Sequence, residues 1–392
     1  MSLHQTTDVV KGKLYRFRYR AQNCHGWGPL SPTLYALAAT FPEAPPSATV
    51  VSISASAVSL RVYPTHDNGG TVVTNYRLYR NQGDGDSSTL TEITTYSYSS
   101  NGFLATITLA DEAMTAGLFY QFSYLAVNKV GDSELSSVLT VPIGDVPAQP
   151  TGLARTSSAK TSIGVVWDQS FDTQTPAGKI TGYRLYMDNG LHGDYDLVYD
   201  GEGVLTVVTY EAMDLDTGHP YRFYTLALNH VGESAPSEVT QIFACDKPSG
   251  LSAPTKVSVS KTSVTVKWTQ PSDDGGCPIA SYGILRDGGP SDDTFVEVHA
   301  SEVNDHPSLD EFTVTDLPAD IVGEQIKIKM QTFNIGGYSS QSEEVLVVTI
   351  SDKPSAPTNG PVSVTDITTI DRIRVVYEEP DNGGSPITNF EI

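Results

Sequence analysis

The chain has 392 residues, room for two to four domains of about 100–200 residues each, and its 39% hydrophobic content with 20 Tyr, 12 Phe and 3 Trp rules out wholesale disorder. A net charge of −22 sets any approach to nucleic acid against phosphate repulsion, so no nucleic-acid partner is expected. No apolar run approaches the roughly 18 residues of a membrane-spanning helix, and Met1–Lys11 lacks an apolar signal-peptide core.

In chain order, the first strand-like run is YRFRYRAQNCHGWGPLSP from Tyr15. Next comes SLRVYPTHDNGGTVVTNYRLYR from Ser59, which reads strand, polar Gly turn, strand. The stretch Asp111–Phe119 is the nearest approach to a helical pattern, but Gly117 and its place between strands favour a turn. The first run then returns as YQFSYLAVNKVGDSELS from Tyr120, YRFYTLALNHVGESAPS from Tyr221 and IKIKMQTFNIGGYSSQS from Ile326. The second returns as GVVWDQSFDTQTPAGKITGYRLY from Gly164, TVKWTQPSDDGGCPIASYGILR from Thr265 and RVVYEEPDNGGSPITNFEI from Arg374. Asn23, Asn128, Asn229 and Asn334 thus recur about every 100 residues, the mark of a repeat.

Every run alternates with period two, which argues strand rather than helix. Ile163, Val165 and Trp167 share a face, as do Val264, Val266 and Trp268. Short strands with Gly/Pro turns in each repeat predict antiparallel sandwiches. Pro-rich seams at FPEAPPSA, IGDVPAQPTG, ACDKPSGLSAP and SDKPSAPTNGP divide them. The division predicts complete domains at 44–143, 146–245 and 249–351. Partial domains follow at 1–41, with C-terminal strands only, and at 354–392, with N-terminal strands only. The chain therefore reads as a segment of a longer array.

The pattern resembles tandem fibronectin type III domains over essentially the whole length. The residues that carry it are Trp167 and Trp268, then Tyr76, Tyr183 and Tyr282, then Tyr15, Tyr120 and Tyr221, all expected in cores. The Asn–x–x–Gly motif and the Pro-rich seams complete it. DKPSAP seams and DNGGSPI turns also resemble very large surface repeat proteins of ciliates and other protists. The chain departs from the pattern where Val62 and Tyr377 replace the Trp and where Ile326 replaces the Tyr.

The resemblance implies an all-β rod of sandwiches with no enzymatic activity and no cofactor. It also implies that Cys245, ending one domain, and Cys277, in a loop of the next, meet at one junction and form a disulfide; the alternative is two unrelated thiols. Cys24 has no partner in the chain on this reading. A bridge would indicate an oxidising compartment.

No zinc spacing, P-loop, dinucleotide fingerprint, G-x-S-x-G or RGD occurs, and the eight His are scattered. Asp67, Asp273, Asp274 and Asp381 recur at one turn, which raises calcium; a solvated turn is the simpler reading, and no metal is expected. Trp27 is expected to pack against the seam of a preceding domain. No Asn begins an N-glycosylation sequon, whereas Ser/Thr-rich stretches leave O-linked glycans open.

The function expected is a structural or adhesive array, extracellular or at the cell surface, that associates with copies of itself. The alternatives are an intracellular scaffold and an accessory array on a carbohydrate-active enzyme.

Overall fold

The computed structural model describes residues 8–86, 88–99, 104–171, 175–289, 294–315, 317–364 and 371–391. The fold is all-β: every described ladder is antiparallel, and the described helix is confined to one turn at Ala300–Val303 and a 3-10 turn at Ala319–Ile321.

Three sandwiches follow one another. In the first, the sheet Thr49–Ile53, Ala57–Arg61, Leu104–Thr108, Tyr96–Ser99 faces the sheet Leu139–Pro142, Phe119–Asn128, Val73–Arg80, Thr91–Glu92. In the second, Ala154–Ala159, Ser162–Val166 and Thr209–Ala212 face Tyr195–Asp200, Ile180–Asp188, Pro220–Asn229 and Thr240–Phe243. In the third, Thr255–Val259, Val264–Lys267 and Glu311–Val314 face a sheet centred on Ile279–Arg286 and Gln325–Asn334. Each encloses its own apolar cluster.

Alternation decides which side chains enter those clusters, because successive residues of a strand point to opposite faces. Ile163, Val165 and Trp167 are buried on one face, as are Val264, Val266 and Trp268. Tyr120, Phe122, Tyr124 and Ala126 do the same from the opposing sheet of the first sandwich. Tyr221, Tyr183 and Tyr282 are also buried, and Val62 is buried at the position of the missing Trp.

Two expected core residues sit differently. Tyr76 is half-buried and packs on the edge of the first cluster. Tyr15 is half-buried and belongs to none, because its two-stranded sheet, Leu14–Phe17 with Leu34–Leu37, has no described sheet facing it. At the other end, Val362–Ser363 pairs Val375–Val376, and Tyr377 and Phe390 touch at 4.8 Å while 42% and 40% exposed.

The tyrosines also fasten turns. Tyr120 Oη accepts from Thr115 N at 2.8 Å, Tyr221 Oη from Asp216 N at 2.9 Å and Tyr15 Oη from Val10 N at 2.7 Å. Ile326 cannot accept. There the 3-10 turn carries Ile321 into the core, so apolar packing stands where the hydrogen bond would be.

A second set covaries with proline. Tyr76 Oη accepts from Thr65 N at 3.3 Å, and Tyr183 Oη from Ser170 N at 2.8 Å. The corresponding residue of the third sandwich is Pro271, which has no N–H. The buried Tyr282 Oη accordingly has no partner among the described residues, and burial raises its pKa. At the next repeat, Pro380 coincides with Phe390, where no hydroxyl needs a donor.

Removing one partner of a satisfied pair costs about 1 kcal/mol, whereas removing an unsatisfied buried hydroxyl costs nothing comparable. Tyr183→Phe should therefore destabilise the second sandwich by about 1 kcal/mol, and Tyr282→Phe should leave the third unchanged or more stable. Denaturant unfolding of both variants checks this, and equal losses would contradict the pairing.

Candidate functional site: the joint between sandwiches

The repeated Asn, Gly and Asp of the sequence converge where one sandwich meets the next. After its last strand, each chain segment enters a Pro-rich seam whose backbone carbonyls have no strand partner. Carbonyls without a strand partner are satisfied by other donors. Asn128 Nδ2 donates to Thr40 O and Asn68 O, both at 2.8 Å. Asn334 Nδ2 repeats this with Asp246 O at 2.9 Å and Asp274 O at 3.0 Å, and Asn229 Nδ2 donates to Asp145 O at 2.9 Å. The amide oxygens turn back on their own loops: Asn128 Oδ1 accepts from Val130 N and Asn229 Oδ1 from Val231 N, each at 2.8 Å.

The Gly-Gly turn supplies the other half. Thr40 N donates to Gly69 O at 2.9 Å, Asp246 N to Gly275 O at 2.9 Å and Asp352 N to Gly383 O at 2.8 Å. These glycines have φ of +75°, +78° and +71°, and a Cβ on any of them would collide with the seam carbonyl. Glycine is required both for the left-handed conformation and for the approach.

The acidic residue before each Gly-Gly caps the turn and reaches back across the joint. Asp67, Asp273 and Asp381 accept from Gly69 N, Gly275 N and Gly383 N at 2.9, 2.9 and 2.7 Å. Each also pairs with a lysine of the preceding unit: Lys11–Asp67, Lys160–Asp273 at 2.9 Å and Lys261–Asp381 at 3.2 Å. The lysine hydrogen bond is the main cause lowering the pKa of Asp67 and Asp273; for Asp381 the Gly383 N–H comes first and Lys261 second. Lys160 is raised in turn by Asp273.

Between the second and third sandwiches the joint is also covalent. Cys245 and Cys277 are disulfide-bonded, with Cα atoms 5.8 Å apart. Both are fully buried. The reason is that the joint has an interior of its own. Ser158 Oγ donates to Cys245 O at 2.8 Å, which fixes the strand end carrying the cysteine. The third sandwich reaches back as well. Arg155 lies 4.0 Å over the Tyr338 ring and donates to Gly336 O at 3.2 Å, and Tyr338 Oη donates to Phe243 O at 3.4 Å.

Cys24 is an exposed free thiol, its Sγ 3.1 Å from His25 Nδ1. Trp27 does not pack on a seam as expected: it is 56% exposed, with Arg20 stacked over its ring at 4.5 Å, because no described segment lies against that hairpin. Among the described residues no group of three or more His, Cys, Asp or Glu could hold a metal ion. Of the recurring aspartates, Asp67, Asp273 and Asp381 are ion-paired across joints, and Asp274 accepts from Gly276 N at 2.8 Å. No helix of the described residues is long and apolar enough to cross a membrane.

Sequence reasoning missed the lysines and the Arg155–Tyr338 clamp. The lysines had a signal, since AKTSI and SKTSV repeat one turn; Arg155 had none, because its partner is remote in sequence.

The fold and its joints define a class: tandem sandwiches fastened end to end. Residues 148–243 match the family model "Fibronectin type III domain". Fibronectin type-III domain-containing protein 3A of Mus musculus is 26% identical over 279 residues, 69% of this chain and 22% of that protein. Neogenin of Homo sapiens is 26% identical over 278 residues, 67% of this chain and 18% of that one. M-protein of striated muscle from Gallus gallus is 28% identical over 239 residues, 59% and 15% respectively. The chain thus spans less than a quarter of each relative's length. A crystal structure of the FN1–FN3 domains of chicken CNTN1 matches 79% of this chain and 100% of that one at 15% identity, with a TM-score of 0.35, too low to compare how domains are arranged.

Two outcomes follow from this geometry. Alkylation of the native chain without reductant should modify Cys24 alone, and all three cysteines should react after unfolding with reductant, as mass spectrometry would read. The lowered carboxylates make their contribution above the ordinary Asp pKa and lose it as pH falls through the lowered value. In an NMR pH titration the Gly69, Gly275 and Gly383 amides, which report on these carboxylates, should therefore show midpoints below about 3.9. Midpoints at or above that value would contradict the ion pairs.

Proposed function

We propose that the chain is a non-enzymatic structural or adhesive array, extracellular or at the cell surface, whose copies associate through repeated side faces. On this reading its units are 44–143, 146–245 and 249–351, flanked by parts of two more at 1–41 and 354–392. The observation that carries it is the joint: the same Asn, Asp and Gly contacts recur at the Thr40 and Asp246 seams, and their Asp and Gly part recurs at Asp352, which suits an array built from end-to-end modules. The buried Cys245–Cys277 bridge supports an oxidising compartment, since such bonds are rare in reducing ones. The similarity to proteins named for fibronectin type III domains supports a repeat array in place of a catalyst. DKPSAP seams support a place among very large protist surface proteins, and Ser/Thr-rich faces are the proposed sites of O-linked glycans. Identical copies of the chain offer identical faces to one another, and head-to-tail contacts between copies need not close.

The runner-up is an intracellular scaffold, with similarity to a striated-muscle protein in its favour. Labelling intact source cells with a membrane-impermeant amine reagent separates the two. The proposal expects labelling before lysis, and labelling only after lysis would overturn the location. Sedimentation of the chain should show mass rising with concentration; a constant monomer mass would remove self-association.

A further inference from the structure

The joints are not equal. Across Asp246 the second and third sandwiches share the disulfide, the Lys160–Asp273 pair, the Arg155–Tyr338 clamp and the Asp246–Gly275 backbone bond. Asn334 there pins two carbonyls. Across Asp145, between the first and second sandwiches, most of these residues are replaced. The sequence in place of Asp-Asp-Gly-Gly-Cys runs Gln-Thr-Pro-Ala-Gly, and the segment between Trp167 and Ile180 is two residues longer than that between Trp268 and Ile279. Ala55 stands where the other turns carry Lys160 and Lys261, so no lysine reaches over. Gly144 and Gly178 occupy the positions of Cys245 and Cys277.

Among the described residues, other contacts hold the joint at Asp145. Ala177 N donates to Gly117 O at 2.8 Å, Ala55 N to the Asp145 carboxylate at 3.0 Å, and Asn229 pins one carbonyl only. Phe119 and His230 meet edge to face at 5.1 Å. No ion pair or disulfide joins these two sandwiches among the described residues. A cleft of about 320 Å³, lined from both sides by Ala55, Ala116, Gly117, Val146 and Thr175 among others, opens at this joint.

We infer that Asp145 is the hinge of this chain and that the joint at Asp246 is its fixed elbow, so that bending concentrates between the first two sandwiches. Hinges are a few loop or element-terminal residues that take up the backbone change, often small ones, and Gly144–Asp145 fits that description. The assignment rests on the contacts at the two joints and not on where the protein works or whether it self-associates.

The experiment measures both joints in one chain. In a Cys24→Ser background with the native disulfide retained, spin labels are placed on Thr106→Cys with Glu211→Cys, and separately on Glu211→Cys with Thr313→Cys. The three positions are equivalent in register, paired with Ser59, Gly164 and Thr265 of the neighbouring strand. Double electron–electron resonance on dilute protein should give a distance distribution about twofold wider or more across Asp145 than across Asp246. Equal widths, or a wider distribution across Asp246, would overturn the hinge.

Discussion

The arrangement of this protein depends on one side chain per module, the asparagine that leaves its own loop to hold the carbonyl of the seam. A primary amide suits this because it donates at one end and accepts at the other. Asn128, Asn229 and Asn334 use the oxygen to close their own turns and the nitrogen to satisfy a backbone carbonyl that no strand covers. Aspartate could not donate, and serine is too short to do both. At the Thr40, Asp246 and Asp352 seams two glycines then let the facing turn come within backbone contact of the seam. There the orientation of one unit on the last follows from these few bonds, with the large apolar cores of the sandwiches supplying rigid bodies.

The forces at the joints differ in kind. The Lys–Asp pairs are solvent-exposed, and such pairs are worth about 0–1 kcal/mol, so they select an orientation more than they enforce it. The Cys245–Cys277 bridge spans 32 residues and contributes about 3–4 kcal/mol in the chain-entropy view, limiting the disordered states of one seam alone. Hydrogen bonds of the Asn and Gly kind lie between, at about 1 kcal/mol each. A chain assembled from identical folds can therefore vary its stiffness from joint to joint by changing a handful of loop residues, with the cores untouched.

Charge bears on what such an array can do. With a net charge of −22, two copies repel at long range in dilute salt, and contact between them needs screening or locally complementary faces. A sandwich fold hosts many functions, so partner choice lies in surface features and not in the core. The outer face of the second sandwich carries one such feature: Tyr186 stacked on Tyr224 at 4.9 Å, Tyr195 edge-on to Tyr224 at 4.8 Å, and Arg222 over Tyr195. The facing pair is Tyr79 and Ser123 in the first sandwich and Leu285 and Lys329 in the third, so modules alike inside differ outside.

Strand identity, repeat length and the inward faces were legible in the sequence, because period-two alternation and a repeated Asn–x–x–Gly are local signals that burial enforces. Trp167, Trp268, Tyr120 and Tyr221 could be assigned to cores from pattern alone. The meeting of Cys245 with Cys277 followed from the resemblance, but that both lie in a sealed interior did not, since that interior belongs to two sandwiches at once. Tyr15 looked like Tyr120 and Tyr221 and makes the same hydrogen bond, yet it enters no core; burial is decided by the sheet opposite, which no local pattern reports. The repeated Asn and Asp were visible as letters, while their partners were not. The Asn nitrogen reaches a carbonyl on the far side of a seam, and each aspartate meets a lysine more than fifty residues away. Such contacts exist only once two folded bodies are set end to end, so tertiary structure alone decided which repeated polar residues join the modules.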